Sequence, residues 1–394
     1  MKFSQQEKDW AKSALKKCDD KYLWVAEKHK DGIPYTTGKD GKDYDNRADK
    51  SKDWIDADGI NWWTNGFWGG VLWHVFEDTG SARIAEIAKV SEVIMDECFD
   101  MYYGLHHDVG FMWLPTAVAN YKLTGDLDAR RRALHAANLL AGRFNPVGKF
   151  IRAWNGEVLN GNTVGWAIID CMLNIPLLYW ATQETGDPRF QQIAMMHADT
   201  VMKDFIREDG SSNHIVEFDP YKGGVVKTYG GQGYENGSAW TRGQGWAVYG
   251  FIASYQQTKK IEYLETAKKV ADFCIAHMPE SGLIPVDYLQ PAQPAIEDSC
   301  AAAIIAGGML EIANECEGAE AEKYRAAGLK IMHALDAHRA VYDDSCDAIL
   351  KNCTGSYHGE ESHHITMVYA DYYYIEALTK IAKDGEERKD VYYW

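Results

Sequence analysis

Across the 394 residues no apolar run reaches the roughly 18 residues that a membrane-spanning helix needs, so the sequence offers no such span. Basic residues are outnumbered by acidic ones, 41 to 58, for a formal net charge of -17. A chain without a basic footprint is not built to hold nucleic acid or an anionic membrane surface. None of the eight cysteines (Cys18, Cys98, Cys171, Cys274, Cys300, Cys316, Cys346, Cys353) stands in a Cys-x-x-Cys pair, which excludes a zinc knuckle. They read as reduced, mostly buried thiols of a cytoplasmic protein. The opening "MKFSQQEKDWAKSALKKC" lacks the basic cap and apolar run of an export signal. No glycine-rich turn links a strand to a helix, so a dinucleotide site is not expected, and "GGQGYENG" is a lone cluster in the wrong setting. His106, His107 and His214 have no helical His-x-x-x-His pair beside them. Neither a metal nor any other cofactor is expected.

What is abundant is apolar surface: 46% of residues are hydrophobic and 12% aromatic, enough for a large core without staples. That surface is arranged in repeats. "FEDTGSARIAEIA" (76–88), "YKLTGDLDARRRALHAA" (121–137) and "TQETGDPRFQQIAMMHADT" (182–200) each join an apolar helix to an amphipathic one. Glycine takes the helix C-cap, and the acid or proline after it opens the next helix. "YQQTKKIEYLETAKKVADFC" (255–274) and "IANECEGAEAEKYRAAGLKIM" (312–332) keep the pattern with a weaker turn, and "YADYYYIEALTKIAK" (369–383) stops after its first helix. The first helix of each unit is apolar nearly all round and the second carries one apolar stripe, which places them in an inner and an outer ring.

Six inner helices and five outer ones leave one place vacant, and the amphipathic segment at about 4–28 fills it. The expected fold is all-α: an (α/α)6 barrel, one domain over 1–394 closed by its N-terminal helix. An open solenoid is the alternative; irregular repeat lengths and the lack of a polar capping unit favour closure. The connections entering the inner helices, roughly 99–107, 144–165, 208–241, 280–297 and 340–362, are long and lie on one face, where function is expected. Residues 29–53 read as an extended connector.

Counting back from each turn to the start of each inner helix gives Trp63 or Thr64, Asp108, Asp170, Arg242, Asp298, and His363 or His364. An Asp at a helix start can be a cap worth about 1 kcal/mol. Two features argue for more. Asp108 and Asp170 occupy matching registers, each followed by a proline, Pro115 or Pro176, that a helix interior excludes at about 3 kcal/mol. Each also has bulky apolar neighbours, which should raise a carboxyl above its usual pKa of about 3.9. Paired carboxyls in a pocket suit acid/base chemistry on sugars. Trp62, Trp63, Trp68, Trp154, Trp240 and Trp246 lie in or just after the rim loops, where flat rings can stack on sugars. Arg242 is the one cation that the repeat alignment places at the mouth, suited to an anionic group.

"HHDVGFMWLPTAVANYKLTGD" (106–126), "RAWNG" (152–156), "IIDCMLNIPLLYWATQETGD" (168–187), "DGSSNHIVEFDP" (209–220) and "AWTRGQGWAVYGF" (239–251) together resemble the unsaturated glucuronyl hydrolases of glycoside hydrolase family 88, from about Trp62 to the last helix. The resemblance implies a hydrolase that hydrates the C4=C5 double bond left by polysaccharide lyases on a non-reducing-end uronate. It implies Asp170 as general acid and base and Asp108 as the second essential acid. Trp62, Asn65, His107, Trp154, His214, Gln232, Arg242 and Trp246 fall on the family's sugar-pocket positions. Some members acting on sulphated fragments carry a Ser-x-x-Ser-x-Lys pattern, where this chain has Ser356, Gly359 and Glu361. An acid in place of the lysine would repel sulphate. The expected partners are unsaturated uronyl disaccharides or short oligosaccharides, with no nucleic acid and no membrane, for a monomer or homodimer. Competing readings are an unsaturated rhamnogalacturonyl hydrolase of family 105, a conventional inverting glycosidase or sugar epimerase on the same barrel, and a non-catalytic glycan-binding toroid.

Overall fold

The computed structural model describes residues 3–38, 41–48, 59–101, 104–158 and 161–386. Part of the connector expected over 29–53, and short pieces of the rim connections at 99–107 and 144–165, fall outside these residues.

The chain opens with α1 (Gln5–Lys28), started by a reciprocal cap: Glu7 N–H donates to Ser4 Oγ at 3.3 Å and Ser4 N–H to Glu7 Oε2 at 2.6 Å. Helical pairs follow. They are α2 (Asn65–Thr79) with α3 (Ala82–Met101), then α4 (Val109–Trp113), continued through a π-helical turn (Leu114–Val118) into α5 (Ala119–Thr124), with α6 (Leu127–Gly142). Next come α7 (Pro176–Thr185) with α8 (Pro188–Asp204), α9 (Thr241–Thr258) with α10 (Ile261–His277), α11 (Ser299–Glu315) with α12 (Gly318–His338), and finally α13 (Val368–Ala382). Counting α4 and α5 as one rod, this makes six inner and six outer helices among the described residues.

The inner ring closes. In order, α2 packs on α4, α4 on α7, α7 on α9, α9 on α11, α11 on α13, and α13 back on α2. α1 lies against α13, α2 and α3, in the outer place that the five striped helices leave open. An open solenoid would leave α2 and α13 apart, so the fold is the (α/α)6 barrel. No helix among the described residues is long and apolar enough to cross a membrane.

The Thr-Gly turns explain the repeat physically. Thr79, Thr124 and Thr185 each donate to the carbonyl four residues back (Val75, Asn120, Ala181; 2.6, 2.8, 2.6 Å). Each accepts the N–H two residues on (Ser81, Asp126, Asp187; 3.2, 3.3, 3.2 Å). The glycines between them, Gly80, Gly125 and Gly186, sit at φ 67, 75 and 72°, a region that other residues enter at a cost. Asp126 and Asp187 then cap α6 and α8. One threonine thus ends a helix while its turn starts the next.

Glycine stands where neighbouring inner elements approach most closely. A Cβ on Gly66 would lie 2.2 Å from the Phe111 carbonyl oxygen, one on Gly110 2.4 Å from Asn174 Cα, and one on Gly250 2.4 Å from Met172 Cβ. The barrel axis is plugged by rings: Phe67 and Phe111 (centroids 5.5 Å apart), Phe111 and Trp246 (5.0 Å), Trp246 and Tyr373 (5.7 Å). Above this plug lies the mouth.

Two expectations about the mouth change. Asp108 and Asp170 do not share a register: Asp108 is the N-cap residue of α4, whereas Asp170 lies on a 3-10 turn (Ile169–Leu173) before α7. Nor do the prolines interrupt α-helix interiors. Pro115 sits inside the wider π turn, and Pro176 is the first residue of α7, where no N–H is needed. The rim loops also hold short antiparallel strands that periodicity did not indicate. β1 (Phe144–Asn145) pairs with β2 (Phe150–Ile151), and β3 (Glu157–Val158) with β4 (Gly161–Asn162). β5 (Trp166–Ile168) pairs with β6 (Ile215–Phe218), which pairs with β7 (Val225–Tyr229).

Candidate active site

A cavity of about 450 Å³ opens at the mouth, lined by Asn61, Trp62, Trp63, Gly104, His106, His107, Asp108, Trp154, Asn155, Ile168, Asp170, His214 and Gln232. Its size suits a small ligand. A larger cavity of about 800 Å³, lined by Thr37, Gly38, Gly41, Lys351, Glu360, Glu361, His363 and His364 among others, contains neither carboxylate of the pair.

The two acids meet in the smaller cavity in opposite circumstances. Asp108 makes no capping bond to its own helix. Its Oδ2 faces His106 Nδ1 at 3.2 Å and His107 Nε2 at 3.4 Å, and its Oδ1 accepts from Asn174 Nδ2 at 3.1 Å. Burial alone would raise this carboxyl, but the His107 and His106 imidazoles outweigh burial and hold it well below the usual carboxylate range. The expected upward shift at Asp108 is therefore reversed, because polar rather than apolar groups surround the carboxylate. Asp170 is the more exposed side chain, 16% against 9%. Its buried Oδ1 has no hydrogen-bond partner among the described residues, with His214 Nε2 standing 3.5 Å away.

Strand pairing sets that approach. β5 runs against β6 with Ile168 opposite Ile215, and Ile169 N–H donates to the His214 carbonyl at 3.1 Å, bringing Asp170 beside the ring. Gln232 N–H donates to His214 Nδ1 at 3.0 Å, which leaves the proton on Nε2, the atom facing Asp170. Trp240 backs the imidazole at 4.2 Å. Gln232 is itself held by a bond from Nε2 to the Gly355 carbonyl, 2.9 Å.

Trp63 lines the cavity, and so do five of the eight positions matched to the family's sugar pocket: Trp62, His107, Trp154, His214 and Gln232. Three do not. Asn65 is buried, donating to the carbonyls of Ile60 (2.7 Å) and Gly59 (3.2 Å). Trp246 belongs to the aromatic plug, and Trp68 and Trp240 are likewise enclosed. Arg242 is buried rather than presented at the mouth: its guanidinium pairs with Asp298, donates to the carbonyls of Thr354 and Gly355 (each 2.7 Å) and lies 4.5 Å over the Trp240 ring. Asp298 both receives Arg242 and caps α11 through Cys300 N–H, 3.1 Å. His106, His107 and Asp108 bring three potential metal-ligand atoms within 4.8 Å, and here the two imidazoles face the carboxylate.

Two residues that the sequence reading passed over organise the site. Arg143, the C-cap residue of α6, donates to the carbonyls of Arg152 (2.8 Å) and Ala153 (2.9 Å) and to Asn155 Oδ1 (2.8 Å). Asn155 Nδ2 in turn donates to the Leu105 carbonyl at 2.8 Å, tying the Trp154 loop to the His106–Asp108 loop. Asn174, fully buried, donates to Asp108 and, at 3.2 Å, to the Asp170 carbonyl.

Paired carboxylates under flanking indoles, at the mouth of an (α/α)6 barrel, define a carbohydrate-active enzyme of the glycoside hydrolase type. The model of Glycosyl Hydrolase Family 88 matches residues 33–386, and the chain belongs to that family. It is 36% identical over 365 residues to the unsaturated glucuronyl hydrolase of Bacillus sp. (strain GL1), across 90% of this chain and 94% of that one. It is 33% identical over 349 residues to the unsaturated chondroitin disaccharide hydrolase of Streptococcus pyogenes serotype M1, across 87% and 86%. The solved structure of the Bacillus sp. GL1 enzyme, described as responsible for the degradation of glycosaminoglycan, superposes with a TM-score of 0.85 at 33% identity, over 95% of this chain and 96% of that one.

Proposed function

We propose that the enzyme hydrates the C4=C5 double bond of the unsaturated glucuronyl residue at the non-reducing end of lyase-generated, glycosaminoglycan-type oligosaccharides, chiefly disaccharides. The relatives' names support the substrate class, and so does a Streptococcus agalactiae Asp-to-Asn variant complexed with dGlcA-GalNAc6S, which matches with a TM-score of 0.81 at 26% identity over 98% of this chain and 94% of that one. The observation that carries the reading is the contrast between the two acids: one carboxylate fully engaged, the other with an open oxygen in the same cavity.

In this mechanism Asp170 delivers a proton to C4. The π electrons of the C4=C5 bond form the new C–H bond, and the O5 lone pair stabilises the cation left at C5. Water adds to C5 and returns a proton to Asp170, which ends as it began. The C5 hemiketal opens to a ketone, leaving C1 a hemiacetal that collapses to an aldehyde and frees the partner sugar. Asp108 stays ionised, a fixed negative charge near the developing cation. His214 and His107 orient the two acids, Gln232 positions His214, and Trp62 and Trp154 flank the sugar. Asn65, Arg242 and Trp246 support the site from behind. Glu361, where sulphate-handling relatives have lysine, disfavours a sulphated partner sugar. The barrel acts as one catalytic domain in the cytoplasm, in keeping with its eight free cysteines, as a monomer or homodimer without metal, nucleic acid or membrane partner.

Incubation with unsaturated disaccharides should abolish the ultraviolet absorbance of the double bond. Full retention of absorbance across a panel of glucuronyl disaccharides overturns the assignment.

A further inference from the structure

Asp108 holds the N-cap position of α4, where an aspartate ordinarily accepts the N–H of the third helical residue. That residue is Phe111, and its N–H goes elsewhere: it donates to Asn174 Oδ1 at 2.7 Å. A backbone N–H can only donate, so this bond fixes the amide's orientation and turns Nδ2 toward Asp108 Oδ1, 3.1 Å away, and toward the Asp170 carbonyl, 3.2 Å away. Gly110 makes room, since any Cβ there would collide with the Asn174 backbone.

We infer that Asn174 is a positioning residue that caps α4 from the neighbouring helical unit, and so releases the Asp108 carboxylate from capping its own helix to face the cavity. One side chain supplies the acceptor that the helix start needs and the donor that the freed carboxylate needs. Because it sits four residues after Asp170, it also ties the spacing of the two acids to a single amide. The inference rests on the proposed hydration for its kinetic consequence, but not for its structural one.

The test uses two variants of the full chain. In Asn174→Ala the Phe111 N–H loses its partner. The Asp108 carboxylate should rotate onto it, to about 3 Å in a crystal structure, and kcat should fall about 100-fold, the scale of a roughly 1 Å misplacement, with KM changed less than about threefold. Asn174→Asp keeps the acceptor and loses the donor, so α4 stays capped and the protein folds even if the alanine variant does not. The titratable and charged groups around Asp108 are then His106, His107, Asp170, the Cys171 thiol, Arg143 and the new carboxyl. A proton shared between the two carboxyls restores the missing hydrogen bond, so this variant should regain activity as pH falls, relative to wild type. An unmoved Asp108 with near wild-type kcat in Asn174→Ala overturns the inference, as does an Asn174→Asp pH profile that superposes on wild type. Wild type inactive on every unsaturated disaccharide defeats the proposed function instead, while the position of the Asp108 carboxylate in Asn174→Ala still decides the role of Asn174.

Discussion

Two of the places where the inner ring encloses charged groups are treated differently. Away from the cavity, Lys380 on α13 meets Glu376 at 2.9 Å and Glu311 on α11 at 3.1 Å; Tyr249 donates to Glu376 at 2.7 Å and Gln256 to Glu311 at 3.0 Å. These groups pair with one another across helices, leaving Glu376 Oε2 and Gln256 Oε1 without partners among the described residues, and neither Lys380 nor the two glutamates line either cavity. At the mouth, Asn61 Oδ1, Trp62 Nε1, His107 Nδ1 and Asp170 Oδ1 are buried without hydrogen-bond partners among the described residues, and all four residues line one cavity. Unmatched buried polar atoms are costly, so a cluster of them marks where a ligand completes the bonding. Ion pairing across helices holds the ring together in one place; in the other, open bonding capacity faces a cavity that a ligand can enter.

Four expectations would break or sharpen that contrast. Asp170→Asn should lower kcat by about 1000-fold with an unchanged circular dichroism spectrum, since it removes the proton carrier and little else; turnover within tenfold of wild type would remove Asp170 from its role. Lys380→Met should cost about 3–5 kcal/mol in unfolding free energy by stranding buried carboxylates, with kcat of the folded enzyme unchanged. Denaturant titration and initial rates on one preparation check both halves of that statement. Trp154→Ala should raise KM about tenfold, with kcat falling less, as expected for a ring that binds sugar without touching the proton in flight.

The last expectation, smallest at neutral pH, concerns acid. His197 is buried, and burial lowers its pKa to about 3 from an ordinary 6.5. Between those values the unfolded chain binds a proton that the native state refuses, so stability falls as pH drops below about 6.5, by up to about 1.4 kcal/mol per pH unit for this ring. Unfolding free energies measured from pH 7 to 4 should have a shallower slope in His197→Phe by about one proton. An identical slope would mean that the ring is already protonated in the native state.

The parts of the molecule written in local chemistry were legible in the sequence. A Thr-Gly turn is complete within about six residues, so Gly80, Gly125 and Gly186 announced the repeat, and from it came the closed ring and the place of α1. The acids were legible for the same reason, because each lies about one inner helix ahead of a turn, Asp108 before Gly125 and Asp170 before Gly186. What escaped is what depends on a partner far along the chain. Repeat counting gave Arg242 its height on the barrel but not its pairing with Asp298, 56 residues on, which withdraws the guanidinium from the mouth. Trp246 read as a ring just after a rim loop, and its burial against Phe111 depends on a residue 135 positions earlier. Asn174 carried no signal beyond being a polar residue in an apolar run, since its role exists only where Gly110 lets two backbones touch. The strands β5 and β6 are too short for alternation to be read, and their pairing is what delivers His214 to Asp170.

The bare glycines at the contacts between inner helices act as the enzyme's gauge blocks. Gly66 lets α2 rest on the backbone of α4, and Gly110 lets α4 rest on the backbone of Asn174 just before α7, so at both contacts between staves the glycine contributes no side chain. A single methyl group at either point would wedge the staves apart by more than a proton transfer tolerates, which makes the fit between catalyst and sugar a property set by omitted atoms.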